Sequence, residues 1–486
     1  ESDTQAPPPT QTNAKPLVGQ DDGRTPDFLM LQSIPVNYVQ QLETDLLEPV
    51  VFNQGTATSD GFCRFTLQNK GFLHSHSKIF LSMKLASGSN DSSFPMPHVG
   101  VGQVVKKAVL KIGNKAINEI DSWRHLFSVK SSLITNENNL ERELYMNGRG
   151  ISHDFNYDLN SRFCSAGYGL DYGLENDIIH DDDLGTHTVN KNIPEWLRTS
   201  TTESTNPSLA IDLSDLFPFL KVHQLPLYMI NEPINIELTF YPQQDQRIQI
   251  KEGSTEDILC EIVRDDLKFC ADYIFYGATD EMERYQNANP EINFSFVDYR
   301  LVEHSTTQAA VRQSVVRNLG MANRLVPRVI TLLSDSSVSE DGLLGEVNAI
   351  SPLLDASGVV GATTKTQYNL KYNDRFEYTT AIDNNSRLFS EFTHSEGIPF
   401  VTRQEYSDEC LSGGINASFA GHDQEDELSG QFFYLGTKLT NGRVGQRGID
   451  LYITGDFPAG LDVMRSFCEY VRVATLKGGM FELYNA

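Results

Sequence analysis

The feature that most constrains this chain is the brevity of its apolar runs. They alternate with polar residues, last three to eight positions and are broken by clusters of Gly, Asn, Ser and Asp. Phe62-Cys63-Arg64-Phe65-Thr66-Leu67 and Ile234-Asn235-Ile236-Glu237-Leu238-Thr239-Phe240-Tyr241 place an apolar side chain at nearly every second position, which is the period of a half-buried strand. No run approaches the roughly 18 apolar residues of a membrane-spanning helix, and residues 1–17 are polar and proline-rich, unlike a secretion signal. The pattern predicts an all-β chain built from short antiparallel strands, with no membrane span and no secretory signal.

At about 100–200 residues per domain, 486 residues predict more than one unit. Residues 1–40, with Pro7, Pro8 and Pro9 followed by Thr10, Gln11 and Thr12, cannot form a core and are expected to be an extended arm whose prolines contact other chains. A first unit, 41–248, is expected to hold strands near 50–52, 62–67, 78–85, 104–112, 115–120, 208–211 and 234–241, with Gly113-Asn114 supplying a turn at positive φ. Trp123, Leu126 and Phe127, then Leu140, Leu144 and Tyr145, recur at helical spacing. They predict a helix over 122–147, started by Asp121 or Ser122 and interrupted near Asn138-Asn139. Residues 148–206 are rich in Gly, Asp, Asn and Thr, and so long an excursion suggests an interaction role.

Residues 243–255 are the best linker, and after it the grammar repeats over a second unit, 249–476. Strands are expected near 258–263, 267–275, 292–302, 329–333, 367–370, 431–439, 449–454 and 469–476, with a helix from Asp280 carrying Glu283 in a capping-box position. Residues 477–486 read as a C-terminal tail. Two successive units of like grammar indicate a duplicated architecture.

The 65 acidic and 39 basic side chains leave a formal charge of −26, and the first 30 residues hold five acids against two bases. A surface that neutralises phosphate needs clustered Lys and Arg, so direct, sequence-specific nucleic-acid binding is not expected. The six cysteines (Cys63, Cys164, Cys260, Cys270, Cys410, Cys468) show no CxxC pair and read as reduced thiols; Cys260 and Cys270 are close enough to bridge a hairpin, but core packing is the preferred reading. Asp181, Asp182 and Asp183 with His187 form the most metal-like cluster, yet they lack the Gly and the bidentate Glu of a calcium loop and read as a solvated acidic segment. His74 and His76 alternate on one expected strand face without a third ligand.

No nucleophile elbow, zinc-protease, phosphate-loop or dinucleotide motif occurs, so neither catalysis nor a cofactor is expected. Two carboxylates facing each other across a sandwich would make a glycosidase, which keeps a cellular β-sandwich glycan-binding module or glycoside hydrolase as the alternative. Two tryptophans in the whole chain, Trp123 and Trp196, count against a sugar-stacking groove.

Two stretches carry a family resemblance. His98-Val99-Gly100-Val101-Gly102-Gln103-Val104-Val105-Lys106-Lys107-Ala108-Val109-Leu110-Lys111-Ile112-Gly113-Asn114-Lys115 resembles the glycine-rich turn, strand and G-x-K segment of the first barrel in double jelly-roll major capsid proteins. Leu225-Pro226-Leu227-Tyr228-Met229-Ile230-Asn231-Glu232-Pro233, continuing into the strand at 234–240, is similar to the closing strand of that barrel. The resemblance is nearest to capsid proteins of polinton-like viruses, virophages and adintoviruses. It implies two consecutive eight-stranded antiparallel jelly rolls with short helical insertions, in a structural protein of an icosahedral double-stranded DNA virus. It further implies a homotrimer forming a pseudo-hexagonal capsomer in the virion shell, partnered by neighbouring capsomers and by penton and minor or cement proteins. Trp123, Phe127, Tyr168, Tyr172 and Trp196 are the expected subunit contacts, with the arm beneath neighbouring capsomers.

Overall fold

In a computed structural model of the chain, the described residues are 39–85, 93–94, 100–134, 145–148, 207–243, 249–250, 260–276, 279–305, 312–335, 367–383, 387, 390–391, 434–440, 442–456 and 461–485. The first barrel comprises β1 (Val39–Leu47), β2 (Gly61–Leu67), β3 (Phe72–Leu73 and Lys78–Leu81), β4 (Val105–Ile112), β5 (Lys115–Asp121), β6 (Leu209–Asp212 and Leu225–Pro226), β7 (Ile234–Phe240) and β8 (Lys268–Tyr276). The second comprises β9 (Glu291–Ser305), β10 (Arg312–Gly320), β11 (Arg328–Asp335), β12 (Gln367–Tyr372), β13 (Arg375–Phe376), β14 (Tyr434–Lys438), β15 (Ile449–Asp456) and β16 (Leu461–Lys477), with β17 (Met480–Asn485) added beside β16. The helices include α1 (Trp123–Ile134), α2 (Leu213–Leu216), α3 (Pro218–Val222) and α4 (Thr279–Ala288).

Strand pairing gives the same answer twice. In the first barrel the sheets run β1–β8–β3–β6 and β2–β7–β4–β5; in the second they run β9–β16–β11–β14 and β10–β15–β12–β13. Counted within each barrel, both orders are first–eighth–third–sixth and second–seventh–fourth–fifth, with antiparallel pairing throughout. This is the jelly-roll order, and the chain is a double jelly roll.

Alternation explains each barrel's core. In β7 the side chains of Ile234, Ile236, Leu238 and Phe240 are fully buried while Asn235, Glu237 and Thr239 face outward. Cys63, Phe65 and Leu67 of β2 meet them from the neighbouring strand. Each such burial contributes about 1.5–3 kcal/mol. The β4–β5 turn is held by Gly113 at φ 59°, as the Gly-Asn dipeptide predicts. Cys63, Cys260, Cys270 and Cys468 are free thiols, so Cys260 and Cys270 do not bridge; Cys164 and Cys410 lie outside the described residues.

Several expectations are corrected. The boundary at 248/249 falls inside the first barrel, and the strand at 234–240 is its seventh and not its closing strand, because β8 pairs with β1 on one side and with β3 on the other, closing that barrel only at Tyr276. The junction is therefore α4, not residues 243–255. Residues 480–485 are no tail: β17 forms a hairpin with β16 through Gly478 and Gly479, both at positive φ. His74 and His76 sit in a turn that interrupts β3, where His74 Nδ1 accepts the His76 amide at 3.0 Å. Ser122 starts α1 at φ 53°, but its hydroxyl meets the His125 ring at 2.7 Å. The described helix ends at Ile134, and the excursion at 149–206 lies outside the described residues.

A close backbone approach tests the second barrel's register. At the β10–β15 bulge, Gly320 and Gly448 both take positive φ, and a Cβ on Gly448 would stand 2.2 Å from the Gly320 carbonyl oxygen. Gly448→Ala should destabilise the chain by about 1–3 kcal/mol. The expected readout is a lower urea midpoint at unchanged slope.

Candidate functional site at the junction of the barrels

The two longest strands build the junction. β9 has 15 residues and β16 has 17, against nine and eight in the facing strands β10 and β15. At about 3.3 Å per residue the long pair outruns its own barrel, and the surplus around 291–298 and 470–477 lies on β5 and α3 of the first.

Asp298 is at the centre, 1% exposed. Its Oδ2 accepts from Arg472 Nη1 at 2.8 Å and from the Tyr470 hydroxyl at 3.1 Å; its Oδ1 accepts from Asn118 Nδ2 at 3.2 Å and from the Glu119 amide at 3.3 Å. Arg472 Nη1 also donates to the Ile117 carbonyl at 2.8 Å, and Asn118 Oδ1 accepts the Phe219 amide of α3 at 2.9 Å. β5 of one barrel and β9–β16 of the other are thus tied through one buried polar group. Burial pushes the Asp298 carboxyl above its ordinary range, against the pull of Arg472 and Asn118.

Apolar contacts flank this group. Phe219 meets Phe294 and Phe296 edge-on at 5.5 and 5.0 Å, and Phe294 stacks on Phe481 of β17 at 5.9 Å. His223 Nε2 donates to the Ser295 carbonyl at 2.8 Å. The turn before β17 is fastened by the Asn231 amide on the Gly479 carbonyl at 2.8 Å and the Phe481 amide on Glu232 Oε2 at 3.0 Å, with Lys115 donating to the Phe481 carbonyl.

A second ionic group lies on the face of β9 and β16 that meets α1. Glu469 accepts from Arg328 at 2.5 Å and from the Tyr299 hydroxyl at 2.6 Å, with Lys130 of α1 at 3.6 Å and over the Tyr299 ring at 4.7 Å. Burial acts to raise the Glu469 carboxyl, but Arg328, Lys130 and Tyr299 outweigh it and hold it below the usual range. Tyr299, Ile330, Leu332 and Phe467 of the second barrel belong to the same continuous apolar cluster as the first barrel's core.

This arrangement locks two barrels into one body. Among the described residues no group of three His, Cys, Asp or Glu side chains is placed to hold a metal ion. The thiols of Cys63, Cys260 and Cys468 are pushed up by burial, which suppresses the reactive thiolate.

The expected contact residues fare unevenly. Trp123 is corrected: it is 1% exposed and stacks on Phe127 at 4.5 Å inside the first core, so it is not offered to another chain. Phe127 is half-buried against the same core. Tyr168, Tyr172, Trp196, the cluster Asp181, Asp182, Asp183 and His187, and Pro7, Pro8 and Pro9 all lie outside the described residues. The junction residues went unnoticed in the sequence, although a charge at Asp298 in phase with Phe294 and Phe296 is a visible signal.

No protein-family model matches the chain, and no curated protein is detectably similar to it in sequence. Solved structures are similar in fold. A chain in the cryo-EM structure of the Sputnik virophage aligns at TM-score 0.55 and 10% identity, covering 100% of this chain and 95% of that one. The mavirus major capsid protein aligns at TM-score 0.46 and 10% identity over 100% and 96% of the two chains. PBCV-1 VP54, fitted into a Sputnik reconstruction, aligns at 0.48 and 12% over 94% and 100%. The Sputnik match carries the shared fold.

Two outcomes check the junction. Asp298→Ala leaves Arg472 and Asn118 buried without their acceptor and should cost about 3–5 kcal/mol in denaturant unfolding; Asp298→Asn, which keeps the shape and an acceptor, should cost less. Glu469, with its folded carboxyl lowered, contributes stability that is fully present above its unfolded value of about 4.3 and is lost as pH falls through the folded value. Asp298 has the opposite sign: its contribution is present below the unfolded value and lost as pH rises through the raised folded one. The stability gap between the parent chain and Glu469→Gln should therefore shrink on acidification, as read by urea unfolding across this range.

Proposed function

We propose that the chain is the major capsid protein of an icosahedral double-stranded DNA virus, a structural tile and not an enzyme. The observation that carries this reading is the doubled strand order on one chain, fused by a shared core. Two like barrels locked at a fixed angle form a unit from which three copies make six barrels about one axis, a near-hexagonal outline that tiles a shell. The fold shared with a virophage structure supports the reading. The polinton-like and virophage branch is the preferred source, on the sequence resemblance.

In this reading the homotrimer is the capsomer, and neighbouring capsomers with penton and minor or cement proteins are the partners. The segment at 148–206, with Tyr168, Tyr172 and Trp196, interlocks subunits. The acidic arm with Pro7, Pro8 and Pro9 straps neighbouring capsomers on the inner face and not the genome. At −26 per chain, capsomers repel until salt screens them over a Debye length of about 10 Å near 0.1 M.

Light scattering on the purified full chain is the test. A particle of three times 54.4 kDa is expected at micromolar concentration in physiological salt, and a monomer would overturn the reading. Deleting residues 1–30 should leave three chains per particle while impairing shell assembly, because the arm acts between capsomers.

A further inference from the structure

The C-terminal hairpin answers a problem that the long strands create. β9 accompanies β16 along one edge from Val463 to Lys477, but β11 accompanies the other edge only as far as Glu469. Past that point the Val471 amide meets the Leu325 carbonyl at 2.9 Å, and from Arg472 to Lys477 the edge is taken by β17. Without β17 the surplus of β9 and β16 would be a two-stranded ribbon, which is marginal in water at best. The third strand completes two rows of side chains, Ile292 with Leu476 and Phe481, and Phe294 with Ala474 and Leu483. Both rows pack with the first barrel's core, and Phe481 is fully buried there.

The first barrel holds a socket for the hairpin. Asn231 and Glu232, from the stretch that carries the family resemblance, receive it through the Asn231 amide on the Gly479 carbonyl at 2.8 Å and the Phe481 amide on Glu232 Oε2 at 3.0 Å. The socket is fixed in its own barrel by the Gly113 amide on the Pro233 carbonyl at 2.9 Å and by Asn69 Nδ2 on the Glu232 carbonyl at 3.4 Å. Gly478 and Gly479 take φ of 58° and 82°. A Cβ on Gly478 would meet nothing within 4 Å, whereas one on Gly479 would stand 2.1 Å from Asn231 Nδ2. At its far end β17 pairs Asn485 with Arg472, the residue that donates to Asp298 and to the Ile117 carbonyl. Among the described residues the second barrel's own core, around Tyr368, Leu370, Leu451 and Ile453, takes no side chain from β17. Phe65, Ile236 and Leu238 of the first are buried on its own paired strands β2 and β7.

We infer that β17 is a latch. It closes once both barrels have formed, because its contacts are made on both, and its release opens the junction around Asp298 while each barrel stays folded. The latch acts within a single chain, whatever number of chains assemble.

Hydrogen exchange of the full-length chain in sub-denaturing urea, read by mass spectrometry, tests this. The Asn231 amide reports the socket, and the Glu119 amide, bonded to Asp298, reports the junction. In the parent chain both should exchange together with β17, at urea concentrations that leave β7 and β15 protected. Phe481→Ala should speed that shared exchange about a hundredfold at unchanged protection of β7 and β15. Gly479→Ala should speed it more than Gly478→Ala, since the two share the backbone cost and only the first meets Asn231. Exchange of β17 alone, with Glu119 protected as long as β7, would reduce β17 to a fraying end and overturn the latch. So would Asn231 and Glu119 opening only when every strand opens, which the parent chain reveals even if Phe481→Ala fails to fold. Either result leaves the three-chain mass, and with it the capsid reading, unaffected.

Discussion

Everything in this molecule depends on a carboxylate taken out of water. Asp298 is buried between the barrels, and the cost of desolvating it is offset in part by Arg472, Tyr470, Asn118 and the Glu119 amide, drawn from both sides of the junction. A buried charge tolerates little displacement of its partners. The Phe219, Phe294, Phe296 and Phe481 cluster supplies area, but apolar area alone permits sliding; the Asp298 group sets the register in which the barrels meet. Removing either should loosen the contact between the two jelly rolls.

The long strands are what make that group possible. A β9 of 15 residues and a β16 of 17 exceed what their own sandwich needs, and the surplus carries Phe294, Phe296, Asp298, Arg472 and Ala474 onto the first barrel.

Much of the fold was legible in the sequence because period-two burial is a local property. The strands at 62–67, 104–112, 115–120 and 234–241 needed only alternation and Gly113-Asn114 to be placed. Strand order was not legible, since the pairing of β8 with β1 joins residues more than 200 positions apart, and the polar run after Tyr241 resembles a linker although β8, which follows it, still belongs to the first barrel. β1 itself was hidden: Gln-Gln-Leu-Glu-Thr-Asp-Leu-Leu has exposed leucines on its even positions and no buried alternation to betray it. Trp123 misled for a related reason, because a large aromatic next to a polar excursion reads as a contact residue, while the structure uses it to fill the first core. The junction was missed because Asp298 and Arg472 gain meaning only once β9 and β16 are paired.

Electron microscopy of the purified full-length protein tests the central claim most directly. Averaged views down the particle axis should show a near-hexagonal outline of six lobes with three-fold symmetry, each chain contributing two adjacent lobes. Isolated two-lobed particles at micromolar concentration and physiological salt would contradict it.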